Sequence, residues 1–314
     1  MRAVAVSDFG AAPELMDLPV PSAGPGQVLV RLRAAGYNPF DLKLVDGALR
    51  GAVEHHFPLI VGSDATGEVE MIGEGVSGFR PGDRVYGQFM RPPEGLGGYA
   101  EYGLADAGGP IAKMPEGMLF EQAAAVPTAS MTAYNLVADG RVDAGQTVLI
   151  VGGTGGVGQS AVQLAADQGA TVIATAAPAE ADVIRYLGAS ETVDHTAGPI
   201  ADQVLAHHPD GVDAIIDLVT PPDGIAALTG LVRPGGTMLS TIGALDPDAL
   251  AAREIRGVNL RNAPSGRLLR NLADMVDGDR LRIRIQAQVP LSDAPAVLKE
   301  IRSRPARGKT VFTI

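Results

Sequence analysis

The chain of 314 residues contains no cysteine and no tryptophan. The first absence removes disulfide bridges, cysteine nucleophiles and thiolate zinc sites together. Aromatic residues make up only 4% against 46% hydrophobic residues, so the core is built mostly from Ala, Val, Leu and Ile. Cations are also scarce. There are 25 Lys and Arg against 36 Asp and Glu, a net charge of -11. A general nucleic-acid binder needs a basic face, so nucleic acid is not an expected partner. No apolar run reaches the length of a membrane span, and the N-terminus lacks the apolar stretch of a signal peptide. The expectation is a cytoplasmic protein with no membrane partner. Five histidines remain as metal ligands, His55, His56, His195, His207 and His208. Their spacing supports no metal site, and none is expected.

What is present centres on Thr147 to Gly169. The apolar run Thr147–Val151 reads as a buried strand. Seven residues follow, Gly152, Gly153, Thr154, Gly155, Gly156, Val157 and Gly158. Ala161, Val162, Leu164 and Ala165 then recur at helical spacing. Gly153, Gly155 and Gly158 fit G-x-G-x-x-G in the required strand–turn–helix context. Such glycines allow a sharp turn, let the backbone approach a pyrophosphate, and let helix and strand pack closely. The helix N-terminus adds free N–H groups and partial positive charge. A P-loop shares the Gly153 and Gly158 spacing, with Ser160 at the hydroxyl position. Gln159, however, holds the place of the lysine that reaches the outer phosphates. Dinucleotide binding is the expected function of the stretch.

A chain of this length suits two domains. Residues 1 to about 115 carry many short strand patterns punctuated by Gly and Pro. These include Arg2–Val6, Gln27–Ala35, Gly67–Ile72 and Asp83–Tyr86, and they suggest a small barrel-like β domain. From about Phe120 the pattern changes. Glu121–Val126, stopped by Pro127, and Met131–Asp139 read as helices. Strand and helix then alternate: strands at Thr171–Thr175, Glu191–Asp194, Asp213–Leu218 and Thr237–Ile242, with a sixth at Gly257–Arg261. Alternation of this kind predicts a doubly wound parallel sheet in an α/β protein. An amphipathic helix, Arg267–Val276, leads into a tail with strands Arg282–Val289 and Thr310–Ile314. The tail is expected to rejoin the first domain, leaving a cleft at the carboxyl ends of the parallel strands.

Seven pieces stand in a familiar order. They are Asn38-Pro39 with Asp41; Gly62 to Gly67; Gly82-Asp83-Arg84-Val85; Gly97-Gly98-Tyr99-Ala100-Glu101-Tyr102; the glycine turn; Pro234-Gly235-Gly236; and Arg307-Gly308-Lys309. In them the chain resembles, over essentially its full length, the zinc-independent, zeta-crystallin-like quinone oxidoreductases of the medium-chain dehydrogenase/reductase superfamily. The resemblance implies a Rossmann dinucleotide-binding domain at 119–263 and a GroES-like β-barrel catalytic domain at 1–118 and 264–314. It also implies a homodimer. The zinc branch of that superfamily carries a cysteine where Asn38 stands and Gly-His-Glu where Gly62-Ser63-Asp64 stand. Hydride transfer without a metal is therefore expected, with no zinc.

Cofactor choice is read at the end of the second parallel strand. NAD enzymes place an acid there for the ribose 2′-hydroxyl. This strand ends in Thr175, Ala176, Ala177 and Pro178, with no acid, which favours NADPH. Related reductases often add a lysine in the next turn, where this chain has Ala181. His195, where the family often has a phosphate-contacting tyrosine, is either a cofactor contact or a polar strand end. The resemblance further puts Asn38 and Thr132 near the nicotinamide or its ribose. It puts Gly156 and Val157 at the pyrophosphate, and Ile242 and Gly243 along the nicotinamide pocket.

The expected reaction is hydride transfer to a quinone or α,β-unsaturated carbonyl. Tyr37, Asn38 and Lys43 are the candidate donors to the developing negative charge on the substrate oxygen. Several relatives carry a tyrosine shortly after the Asn-Pro helix, where this chain has Leu49. That tilts the reading to quinones or small enones protonated by solvent. Two alternatives stay open. One is an enoyl-thioester or polyketide-type enoyl reductase, whose carrier phosphate would need a basic patch from Arg267, Arg270, Arg280, Arg282 and Arg284. The other is a non-catalytic NADPH-binding sensor.

Overall fold

The computed structural model describes residues 1–303 and 308–314. Arg307, from the expected Arg307-Gly308-Lys309 motif, lies outside the described residues. The chain divides into two compact units. One comprises Met1–Ala129, Pro264–Gly278 and Ile283–Ile314; the other comprises Ser130–Ala263 and Asp279–Arg282. Among the described residues, no helix is long and apolar enough to cross a membrane.

The second unit is built on a six-stranded sheet. Its order is Glu191–Val193, Thr171–Thr175, Thr147–Val151, Val212–Asp217, Val232–Ser240, Arg256–Asn259. Every neighbouring pair is parallel. Central strands are buried along nearly their whole length, as in Val148–Val151 and Ala214–Asp217. Helices covering both faces of a parallel sheet require such continuous apolar runs. Thr147–Val151 and Val212–Asp217 are adjacent in the sheet but 60 residues apart in the chain, so strand order reverses between them. Crevices at such a reversal are where doubly wound folds bind ligands. Pro234-Gly235-Gly236 lies inside the fifth strand rather than before it. A register shift between Val212 and Ala214 absorbs it, with Val232 and Thr237 as the flanking partners.

The first unit carries a seven-stranded sheet. Its path runs Ile285–Pro290, Lys309–Thr313, Gln27–Gly36, Asp64–Ile72, Arg84–Gln88, Ile111–Lys113, with Tyr102–Asp106 paired to Gln27–Gly36 beside it. A separate three-stranded sheet joins Glu14–Asp17, Arg2–Val6 and Leu59–Ile60. Among the described strands of this unit, Ile285–Pro290 and Lys309–Thr313 pair in parallel and the other strand pairs are antiparallel. The last strand is thereby placed against the end of Gln27–Gly36, with Val311 opposite Gly36. One core gathers Val30, Leu32, Leu44, Val61, Phe89, Leu298 and Phe312 beneath these strands.

Two differences from the sequence expectation have local causes. The helix expected before Pro127 is present as Phe120–Ala124, but Pro127 itself begins the next helix, Pro127–Gly140, ahead of the expected start at Met131. Proline suits a first helical position because the N–H it lacks has no intrahelical acceptor there. The strand Glu14–Asp17 was not signalled at all. It is an edge strand exposed at three of four positions, so no apolar alternation marks it.

Candidate active site

In the second unit the strand Thr147–Val151 runs into the helix Gly156–Asp167 through the glycine turn. Gly158 and Gly155 differ in their surroundings. A Cβ on Gly158 would lie 2.1 Å from the Gly152 carbonyl oxygen and 2.7 Å from the Gly153 Cα. Only glycine lets the helix approach the strand that closely. A Cβ on Gly155 would meet only the Gly152 oxygen, at 3.5 Å, and otherwise open space. Gly152 itself has φ +92°, and its N–H donates to Thr175 Oγ1 at 2.8 Å. Thr175 thus ties the end of the neighbouring strand to the turn. The helix has no acidic residue in its first turn and no side-chain cap. Its N–H groups and dipole are left to an anion from outside.

Sequence reasoning passed over Asp217, the last residue of the neighbouring strand Val212–Asp217. It is fully buried beside Val151 and Ser240 in the sheet. One oxygen accepts from the Thr220 N–H at 3.1 Å; the other, Oδ2, has no partner among the described residues. Burial pushes this carboxyl above the ordinary carboxylate range. The two residues after it, Leu218 and Val219, stand 3.2 and 3.1 Å from where a Gly152 Cβ would be. An acid closing the apolar run Ala214-Ile215-Ile216 was the available signal. The open cradle at Gly155, the uncapped helix and this orphaned buried oxygen together fit a dinucleotide with hydroxyl and phosphate groups.

In the first unit a different arrangement surrounds Asn38. The sequence Asn38-Pro39-Phe40-Asp41 starts the helix Pro39–Val45, with proline at the first helical position and an acid in the first turn. Asp41 turns back to accept the Asn38 N–H at 2.8 Å. It also accepts from the Ser63 N–H at 2.9 Å, the Ser63 hydroxyl at 2.6 Å and the Tyr99 hydroxyl at 2.6 Å. Gly62 makes the last contact available, since a Cβ there would lie 2.2 Å from the Tyr99 ring. Asp64 is the second buried acid. It accepts from the Thr128 N–H at 2.9 Å, the Thr128 hydroxyl at 2.6 Å and Asn38 Nδ2 at 2.8 Å. Lys309, first residue of the final strand, donates to the Tyr37 carbonyl at 2.7 Å and to Asn38 Oδ1 at 2.9 Å.

Asp41 and Asp64 are fully buried, and Asn38, Ser63, Tyr99 and Lys309 nearly so. Burial therefore dominates their ionisation. It raises the Asp41 carboxyl and lifts Asp64 to about 6, while the hydrogen bonds and Lys309 pull both back. It lowers the Lys309 ammonium against the pull of the same two carboxylates. Tyr37 is pushed up to about 12, by burial first and by Asp41 second.

Comparison with known proteins follows this architecture. Residues 24–116 match the alcohol dehydrogenase GroES-like domain, and residues 187–312 match the zinc-binding dehydrogenase family. The mitochondrial NAD(P)H oxidoreductase RTN4IP1 of Danio rerio is 30% identical over 330 residues, spanning 92% of this chain and 84% of its own. The quinone oxidoreductase of Homo sapiens is 35% identical over 226 residues, 70% of this chain and 66% of that one. The solved quinone oxidoreductase of Coxiella burnetii superposes with a TM-score of 0.86 at 31% identity, covering 100% of this chain and 99% of its own. The chain belongs to the quinone oxidoreductase family of the medium-chain dehydrogenase/reductase superfamily. It is an oxidoreductase, with the Rossmann and GroES-like folds of that family. The CurK enoyl reductase shares this fold at 22% identity and a TM-score of 0.87.

Within this family member the sequence-expected residues fall into clear groups. Gly153, Gly155, Gly156, Val157 and Gly158 form the turn and first helical residues, with Thr175 bonded to it and Ala176 buried beside it. Ile242 and Gly243 follow the strand Val232–Ser240; Ile242 is exposed and Gly243 has φ +73°. Thr132 is buried in the helix Pro127–Gly140. His195 lies exposed in the turn after Glu191–Val193. In the other unit Tyr37 and Asn38 are buried together, whereas Lys43 points from the exposed face of its helix, away from buried Asp41. Lys309, quoted only as part of a motif, is the cation that reaches Asn38. Among the described residues no group of three or more His, Cys, Asp and Glu is arranged to hold a metal ion.

Proposed function

We propose that the protein is an NADPH-dependent reductase that transfers hydride to a quinone or another α,β-unsaturated carbonyl without a metal. The glycine turn carries this reading, because Gly158 closes helix onto strand while Gly155 leaves backbone open beside an uncapped helix. Relatives named quinone oxidoreductase and NAD(P)H oxidoreductase support it. When bound, the reduced nicotinamide supplies the hydride. The turn and helix N-terminus bind the diphosphate, and Thr175 holds the turn in shape. Around Asn38, the burial of Tyr37, Asn38, Ser63 and Lys309 keeps water from the polar network.

Neither Asn38 nor Tyr37 is a tuned proton donor. The two N–H groups of Asn38 face Asp64 at 2.8 Å and the Gly36 carbonyl at 3.4 Å. The amide therefore offers a ligand its Oδ1 lone pair rather than a donor. The Tyr37 phenol, at about 12, is far from the neutral range in which a general acid works best. Solvent is the proton source in this reading. Arg280 and Arg282, two of the five arginines that a carrier phosphate would need, are paired with Asp167 and Asp279 at 3.4 and 2.7 Å. That favours quinones and small enones over thioesters on a carrier.

NADPH is preferred because the strand Thr171–Thr175 ends without an acid and its last hydroxyl is committed to Gly152. The first acid beyond it is Glu180, in the opening turn of the helix Pro178–Tyr186. With 9,10-phenanthrenequinone as acceptor, kcat/KM for NADPH should exceed that for NADH by about tenfold or more, a difference of about 1.4 kcal/mol. A clear preference for NADH would overturn the cofactor choice. Dialysis against a chelator should leave the rate unchanged, since Asn38 addresses Asp64 and Lys309 while Ser63 addresses Asp41. Loss of turnover, restored by zinc, would contradict the metal-free step.

A further inference from the structure

The Asn38 amide lies between a buried cation and a buried anion. Lys309 Nζ donates to its Oδ1 at 2.9 Å, and its Nδ2 donates to Asp64 Oδ2 at 2.8 Å. Among the described residues no direct ion pair within 4.0 Å joins Lys309 to either carboxylate, so the amide is the bridge between the charges. Rotating it by half a turn would set Nδ2 against the ammonium and Oδ1 against the carboxylate. The same ammonium holds the Tyr37 carbonyl at 2.7 Å. Lys309 therefore grips two successive residues at the corner where Gln27–Gly36 turns into Pro39–Val45. It does so from the other end of the chain, 271 residues from Asn38. A lysine buried to this degree is uncommon without a carboxylate in contact.

We propose that Lys309 is a positioning residue for hydride transfer: with Asp64 it fixes the polarity and orientation of the Asn38 amide, so that Oδ1 alone is presented to a ligand. The kinetic part of this inference rests on the reductase reading above; the structural part does not. The charged and titratable groups facing the bridge are Asp41 on the helix Pro39–Val45, Asp64, Tyr37 and Tyr99, with Arg302 acting on Tyr37 from the helix Ala294–Ser303. Lys309 favours the ionised form of Asp64. Removing that cation must raise the pH at which Asp64 takes a proton, and the Asn38 N–H groups report that event directly.

The test uses the full chain labelled with ¹⁵N at its five asparagines. The side-chain resonance of Asn38, identified by its loss in Asn38→Ser, should move with pH around a midpoint near 6, where Asp64 titrates. In Lys309→Met the midpoint should rise by about one unit or more. In Lys309→Arg, which keeps the charge, it should stay near that of the parent. Asp64→Asn should abolish the movement, and it serves if Lys309→Met does not fold. With phenanthrenequinone and NADPH, Lys309→Met should lower kcat/KM by roughly tenfold to a hundredfold, largely recovered in Lys309→Arg. An Asn38 signal unmoved in Lys309→Met, or still titrating in Asp64→Asn, would overturn the inference. A parent protein that reduces no quinone would instead count against the reductase reading and leave the resonance result standing.

Discussion

Gly158→Ala is expected to lose both stability and pyridine-nucleotide binding, while Gly155→Ala, three residues earlier, keeps the fold and loses only the binding. The added methyl at 158 falls 2.1 Å from the Gly152 oxygen and 2.7 Å from the Gly153 Cα. Both are backbone atoms, so no side chain can swing aside. Alanine gains up to about 1 kcal/mol over glycine in a helix. Overpacking against a fixed neighbour costs about 1–3 kcal/mol, and more where backbone must move. The clash should win, and the shifted turn should carry the binding site with it. At 155 the backbone sits at φ -73°, ψ 169°, which alanine adopts freely, and the nearest atom is 3.5 Å away. The melting temperature should stay near that of the parent. Affinity should fall by about tenfold or more, since the methyl lies where a diphosphate would approach. Unchanged affinity in Gly155→Ala would show that this glycine does not face the ligand.

Asp41→Ala should destabilise the first unit by about 3–5 kcal/mol, the range seen when one partner of a buried charged network is removed. The reason is the number of donors it leaves behind. The Asn38 and Ser63 N–H groups and the Ser63 and Tyr99 hydroxyls all point at this carboxylate. Each would be buried without an acceptor, at about 1–3 kcal/mol for an orphaned group before relaxation. Thermal unfolding should begin about 10 °C lower, at the few degrees per kcal/mol typical of domains of this size. Asp41→Asn keeps the shape and one acceptor oxygen, and its loss should be smaller. An Asp41→Ala protein that melts with the parent would mean that the network adds nothing to stability.

The parts of this molecule legible in the sequence are those written in short-range pattern. The strand–glycine–helix run at Thr147–Asp167 spells out its own geometry, because the glycine that closes helix onto strand, Gly158, is forced by backbone atoms of Gly152 and Gly153 only a few residues away. The alternation after Phe120 gives six parallel strands for the same reason, since each strand must bury an apolar run. The polar network of the first unit was not legible. Asn38-Pro39 with Asp41 announces a helix start, but nothing local says that Asp64, Tyr99 and Lys309 meet there. Those contacts span 26, 58 and 271 residues. Lys43 was one of three candidate donors because it stands close to Asn38 in the chain, yet helical rotation turns it outward while Asp41 turns in. A lysine opening the buried strand Lys309-Thr310-Val311-Phe312 was the one available hint. Asp217 gave a similar hint, an acid at the end of an apolar run.

The most direct test of the account is calorimetric titration of the metal-free protein with NADPH, and with NADH in parallel. The turn around Gly155 predicts saturable binding of one NADPH per chain, with a dissociation constant on the order of micromolar, and weaker binding of NADH. A protein that unfolds cooperatively on heating, yet gives no binding heat with either nucleotide and no shift in its melting temperature when they are added, would contradict it.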